Sequence, residues 1–302
     1  MSSEKQYTKG PPAPVFISLP ADEGVHTAPT VDIWYVSCTL ATGERRFDTQ
    51  VVAVTNIAEP VTTHAYLVES GTGEQRHEIR SHSDIASGIK AGCLDIRLPN
   101  LSLSGSHEGF TLWSAVGRDS IELVLSPRSP VLYANGTGLF PCHGGGTHQY
   151  SLPDLGVSGA LTIDGETVDV EGQGWFDRQW APSAAAFGSG DGFIWMGLCL
   201  SNGDNLSLWD SVAPDGNPYC WATVVRPDST HIIAPVVLNT GPGGSAARGP
   251  WVVGIPSLDV ELTVSQKAIH DEGNFYSGAC TVSGTRGSAP VTGYGYVDVL
   301  QR

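Results

Sequence analysis

Two tryptophans, an acid and a base fall within nine residues, Gly172-Gln173-Gly174-Trp175-Phe176-Asp177-Arg178-Gln179-Trp180, in a chain with only 16% charged residues. If the stretch is a strand, alternate side chains share a face. Trp175, Asp177 and Gln179 then look one way, and Phe176, Arg178 and Trp180 look the other. An acid held between an indole and an amide, with glycines alongside that let other groups approach, suits proton transfer. The same residue types also suit an ion pair at a strand end. The residues alone leave both readings open.

The elements that must position this stretch are strands. Residues 33–40 are rich in aromatic and β-branched types, residues 41–44 form a turn, and residues 46–54 return as a second strand. Alternation continues through Leu94, Ile96 and Leu98, through Ile121, Leu123 and Leu125, and through Leu258, Val260, Leu262 and Val264. Val297 and Val299 keep the same period. Asp164-Gly165 and Asn202-Gly203 each separate two apolar runs, and the first predicts a type I′ hairpin. Only residues 84–90 and 265–271 read as short helices. Many strands at short spacing predict an all-β sandwich or barrel. The glycine-rich segment 141–153 is the expected boundary between an N-terminal half, residues 15–150, and a C-terminal half, residues 151–302. Residues 1–14 are an expected disordered tail, and residues 241–250 a second flexible loop.

Composition narrows the partners. The 302 residues are enough for a substantial core, and 37 glycines with 20 prolines suit turns rather than long helices. A net charge of -15 repels phosphate backbones, so nucleic acid and anionic membranes are poor partners. The first fourteen residues are polar and proline-rich, and no apolar run approaches membrane-spanning length. The expectation is a cytoplasmic protein without membrane insertion. Its six dispersed cysteines, with no CxxC pair, are then reduced. The sequence does not reveal its oligomeric state.

Several familiar chemistries are missing from the sequence. There is no GxSxG, no phosphate-binding loop and no GxGxxG after a strand. The glycines at 188, 190 and 192 have the wrong spacing and read as a mobile loop. His143 and His148 lie in a glycine-rich loop with no third ligand in view, so no metal is expected, and nothing in the sequence demands a cofactor. Of the eight tryptophans, Trp34, Trp175, Trp195, Trp209 and Trp221 fall in expected strands or at their ends. Strand aromatics either fill a β-core or line a cavity for an apolar ligand.

Four blocks in order resemble a lipocalin-like superfamily. It includes carotenoid hydratase (hydroxyneurosporene synthase), fungal kievitone hydratase and fungal decalin-forming Diels–Alderases. The blocks are Asp32-Ile33-Trp34-Tyr35-Val36; Pro130-Val131-Leu132-Tyr133-Ala134-Asn135-Gly136 with His148-Gln149-Tyr150-Ser151; Val157-Ser158-Gly159-Ala160-Leu161 running into Gly174 through Trp180; and Phe193-Ile194-Trp195-Met196-Gly197-Leu198 with Asn205-Leu206-Ser207-Leu208-Trp209. The similarity spans about residues 30–212. Ala181 departs from it, standing where the family usually has glycine.

The resemblance implies two lipocalin-like β-domains, a sandwich then a barrel, with little helix. It also implies a hydrophobic polyunsaturated substrate, isoprenoid or polyene-like, and no cofactor. Asp177 would protonate an alkene, with its pKa raised by an apolar pocket, and water or an internal alkene would capture the cation. Trp175 and Trp180 would stabilise that cation. Trp34, Tyr150, Trp195 and Trp209 would complete the substrate-binding set. In a [4+2] cyclisation no proton moves, and Gln179, Arg178 or Tyr150 would polarise the dienophile. A non-catalytic carrier would need the cavity but not the carboxylate.

Overall fold

The two-residue period of the central strands is the key to the architecture. In the Val31–Thr42 strand, Trp34, Val36, Cys38 and Leu40 enter one apolar core, while Ile33 and Tyr35 join a different one. A strand buried on both faces needs a layer on each side. The computed structural model supplies them as two curled antiparallel sheets, a nearly closed barrel and a half-barrel. It describes residues 16–26, 31–56, 59–83, 88–142, 145–181, 192–212, 218–245, 248–267 and 270–301.

The first sheet is centred on Val31–Thr42 paired with Glu166–Ala181. Arg45–Asn56, Glu59–Glu69 and Glu74–His82 extend it on one side. On the other, Gly145–Ile163 leads to Asp119–Pro127, Gly109–Val116, Leu101–Ser106 and Leu94–Leu98. The second sheet is centred on Phe193–Leu200 beside Ala289–Leu300. Asn205–Val212 and Pro218–Val225 flank it on one side, and Phe275–Arg286 and Val260–Gln266 on the other. Each sheet curls over its own apolar core. A third cluster, containing Tyr35, Trp175, Trp195, Trp209 and Tyr296, glues the two sheets together. Among the described residues no helix is long and apolar enough to cross a membrane.

Asp164 and Gly165 have φ of 53° and 84°, the two positive values a type I′ turn requires. Asn202-Gly203 also closes a hairpin, but only Gly203 has positive φ. In residues 265–271, positions 268 and 269 lie outside the described residues, and the others are not helical. They divide between Val260–Gln266 and His270–Glu272, both of which pair with Phe275–Arg286. Burial of His270 and Val264 in a sheet outweighs a weak local helical pattern. In residues 84–90, positions 84–87 lie outside the described residues, and Ile89 forms a β-bridge with Ile96. The expected division near Tyr150 and Ser151 falls inside the Gly145–Ile163 strand, whereas the break between the sheets lies between Ala181 and Phe193. Residues 1–14, His143 and residues 188–191 lie outside the described residues.

Candidate active site

Residues 174–181 of the Glu166–Ala181 strand are buried on both faces, and the strand sorts its side chains as the period of two requires. Phe176 and Trp180 enter the core of the first sheet, and Trp175 faces the second sheet. Asp177 stands between Tyr35 on one neighbouring strand and Ser151 on the other. Its Oδ1 accepts the Trp175 indole N–H at 2.7 Å, and its Oδ2 accepts an N–H of the Gln149 amide at 2.6 Å. The Gln149 Oε1 in turn accepts the Trp209 indole N–H at 3.0 Å, which fixes the amide's orientation from the second sheet.

Asp177 opens onto a cavity of about 290 Å³ between the sheets. The first sheet contributes Ile33, Tyr35, Gln50, Val52 and Gln179 to its wall, and the second Phe193, Trp195, Trp209, Phe275 and Asp298. His64, Tyr66 and His270 complete the titratable lining. Burial pushes the Asp177 carboxyl up to about 6, although hydrogen bonding by Ser151, Trp175 and Gln149 pulls the other way. Asp298 is pushed up to about 7, by desolvation first and also by the negative charge of Asp177. Ser277 donates to Asp298 Oδ1, Gln50 donates to Ser277, and the Tyr35 hydroxyl lies 3.4 Å from the same oxygen. Gln179 Nε2 is buried and has no hydrogen-bond partner among the described residues, so the cavity wall offers a donor to an incoming polar group.

Arg178 is elsewhere. It projects into the core of the first sheet, fully buried, and pairs with Asp32. Its guanidinium lies 4.2 Å from the Trp34 ring centroid and 5.1 Å from that of Trp180. It also donates to the carbonyls of Gly24 and Gln179. The arrangement is a structural strut, so Arg178 neither neutralises Asp177 nor reaches the cavity. Trp34, Tyr150 and Trp180 share that inner face and do not line the cavity. Trp180 stacks with both His26 and His148, at centroid distances of 4.6 and 5.0 Å. Of the six expected substrate-binding residues, Trp195 and Trp209 line the cavity, and Trp175 stands behind Asp177, edge-on to Trp195 at 6.0 Å.

A second cavity, of about 340 Å³, lies near Arg128, Asp154 and Tyr294. Its polar groups satisfy one another: Arg128 pairs with Asp154, which also accepts from the Tyr294 hydroxyl at 3.0 Å. Among the described residues no cluster of three His, Cys, Asp or Glu side chains has the arrangement of a metal site.

A family model of AttH-like proteins matches residues 11–300. The chain belongs to the AttH-like family. Compared with curated protein sequences, it matches none. Among solved structures, a protein assigned as AttH from Nitrosomonas europaea is 20% identical with a TM-score of 0.75, covering 95% of this chain and 99% of that one. Kievitone hydratase from Nectria haematococca is 19% identical with a TM-score of 0.81, covering 95% of this chain and 93% of the other. At these identities the likeness is one of fold.

In this AttH-like chain the residue that sequence reasoning missed is Asp298. Between Val297 and Val299 it occupies the position of an outward, solvated side chain. The signal would have been visible only by knowing that the first sheet covers that outer face. Tyr35, Gln50 and Ser277 were hidden for the same reason.

Proposed function

We propose that the chain is an enzyme that adds water to, or removes it from, a double bond of a small hydrophobic molecule held between the two sheets. The observation that carries this reading is Asp177. It is a carboxyl in an aromatic-walled cavity, kept by burial near the protonation midpoint that proton transfer at neutral pH requires. Protonation of an alkene leaves a carbocation, and water captures it. Trp195 and Trp209, rather than Trp180, are the rings beside which such a cation would form. Gln179 would hold a polar group of the substrate. The shared fold with kievitone hydratase supports hydration as the reaction, and the aromatic cavity wall suits an unsaturated isoprenoid or polyene-like substrate.

The test is Asp177→Asn, assayed on short isoprenoid alkenes and prenylated phenols in heavy-oxygen water. Binding is followed by quenching of tryptophan fluorescence. Wild-type protein should yield a labelled alcohol, and the variant should bind without turnover. Turnover that survives the substitution would favour a shape-driven cycloaddition with Gln179 as the polarising donor. Binding without turnover in both proteins would favour a carrier.

A further inference from the structure

The cavity holds two carboxyls, one from each sheet, and their surroundings differ. Resting on the hydratase reading, we propose that Asp298 is the proton donor of this site and that Asp177 takes the proton from the attacking water.

Asp177 has both oxygens engaged by N–H donors, the Trp175 indole and the Gln149 amide. Neither donor can accept a proton back, so both bonds favour the ionised form. Trp209 holds the Gln149 amide from turning over and presenting its oxygen. At Asp298 the contacts converge on one oxygen. Ser277 and Tyr35 both address Oδ1, which leaves Oδ2 for the cavity that Asp298 lines. A carboxylic acid carries its proton on the oxygen that is not accepting, so the acidic O–H belongs on Oδ2. Two carboxyls facing one aromatic-walled cavity resist being ionised together, and their first proton settles on the carboxyl that keeps an oxygen clear of donors, which is Asp298. The direction of the two pKa values, about 7 against about 6, agrees. The other titratable groups facing the pair are Tyr35, His64, Tyr66 and His270.

The step balances. The alkene π pair forms a C–H bond with the Asp298 proton, and the O–H pair stays on Asp298 as carboxylate. A water lone pair forms the C–O bond to the cationic carbon, and the water proton passes to Asp177. The product is the substrate plus one water. A proton moving from Asp177 to Asp298 through solvent resets the site, and the reverse sequence is dehydration.

The test reads protonation without needing a substrate. Infrared difference spectra of the full chain are recorded between pH 6 and 7, where the two groups divide. Wild type should show a protonated-carboxyl component that titrates near 7 and another near 6; the higher one should persist in Asp177→Asn and be lost in Asp298→Asn. In Asp177→Asn that component should titrate at lower pH, because a neighbouring negative charge is gone. A higher-pH component that is lost only in Asp177→Asn, survives in both variants or is missing from wild type would overturn the assignment. Both substitutions are near-isosteric, and circular dichroism checks that each variant is folded. If a hydration substrate is in hand, each variant should lose at least about a hundredfold in kcat/KM, the scale of one general acid or base. Failure to find any alkene that is hydrated would sink the hydratase reading, yet leave the infrared result standing.

Discussion

The indole of Trp175 occupies the space that a side chain at position 197 would need. A Cβ built on Gly197 would come within 2.7 Å of Trp175 Cε2. Gly197 belongs to the second sheet and Trp175 to the first, so this bare patch of backbone lets the two sheets close on the group that holds Asp177. Gly197→Ala should therefore push the indole away from the carboxylate. The expected cost is about 1–3 kcal/mol of stability from overpacking, read by urea unfolding. On the proposed hydratase reading, activity should fall further than that loss accounts for at temperatures where the variant is still folded.

Gln149 offers a second handle on the same acid. Gln149→Leu removes one N–H bond from Asp177 and leaves the Trp209 indole N–H without its acceptor. With less to stabilise the carboxylate, Asp177 should titrate above about 6. The limb of the pH–rate profile that reports Asp177 should shift upward, and tryptophan fluorescence should show an altered Trp209 environment.

Asp298 makes a prediction about stability and pH. Its ordinary pKa of 3.8 rises to about 7 in the folded chain. The folded state therefore holds a proton that the unfolded state has released, and stability falls as pH climbs through that window. At one to two kcal/mol per unit, the loss is on the order of 4 kcal/mol by pH 8. Asp298→Asn, which cannot ionise, should be markedly more stable than wild type at pH 8. At pH 4 the two should be nearly equal. Urea midpoints measured across that range check it.

The Arg178–Asp32 pair carries the opposite sign. Burial pushes the Asp32 carboxyl up, but the His26 hydrogen bond and the Arg178 guanidinium outweigh it and hold the pKa below 3.8. Its contribution is complete above that value and disappears as pH falls through the lower, folded one. Asp32→Asn leaves a guanidinium buried without its partner, at a cost of about 3–5 kcal/mol. The expected signature is a large fall in Tm with KM close to wild type, since neither residue lines the cavity.

Much of this was legible in the sequence. Alternation in residues 172–180 assigned Asp177 and Arg178 to opposite faces, and the Asp164-Gly165 turn was readable to its backbone angles. The limit was that period-two reasoning says which side chains share a face, not what covers that face. Trp34 and Trp195 look alike as strand tryptophans, yet one props a buried arginine and the other lines the cavity. Asp298 reads as a solvated residue until the first sheet is laid against it. Such facts are set by pairings far apart in sequence, such as Gln50 reaching Ser277.

The seam between the sheets also sets a timetable. A growing chain completes the Glu166–Ala181 strand well before it makes Ala289–Leu300. Until the later strand arrives, the wall bearing Asp177 faces water, where a carboxyl is an ordinary carboxylate with no proton to handle. On the proposed reading, reactivity would thus be conferred by docking, not by either half. A first sheet standing alone would, on that reading, carry Asp177 without a proton to give or hold.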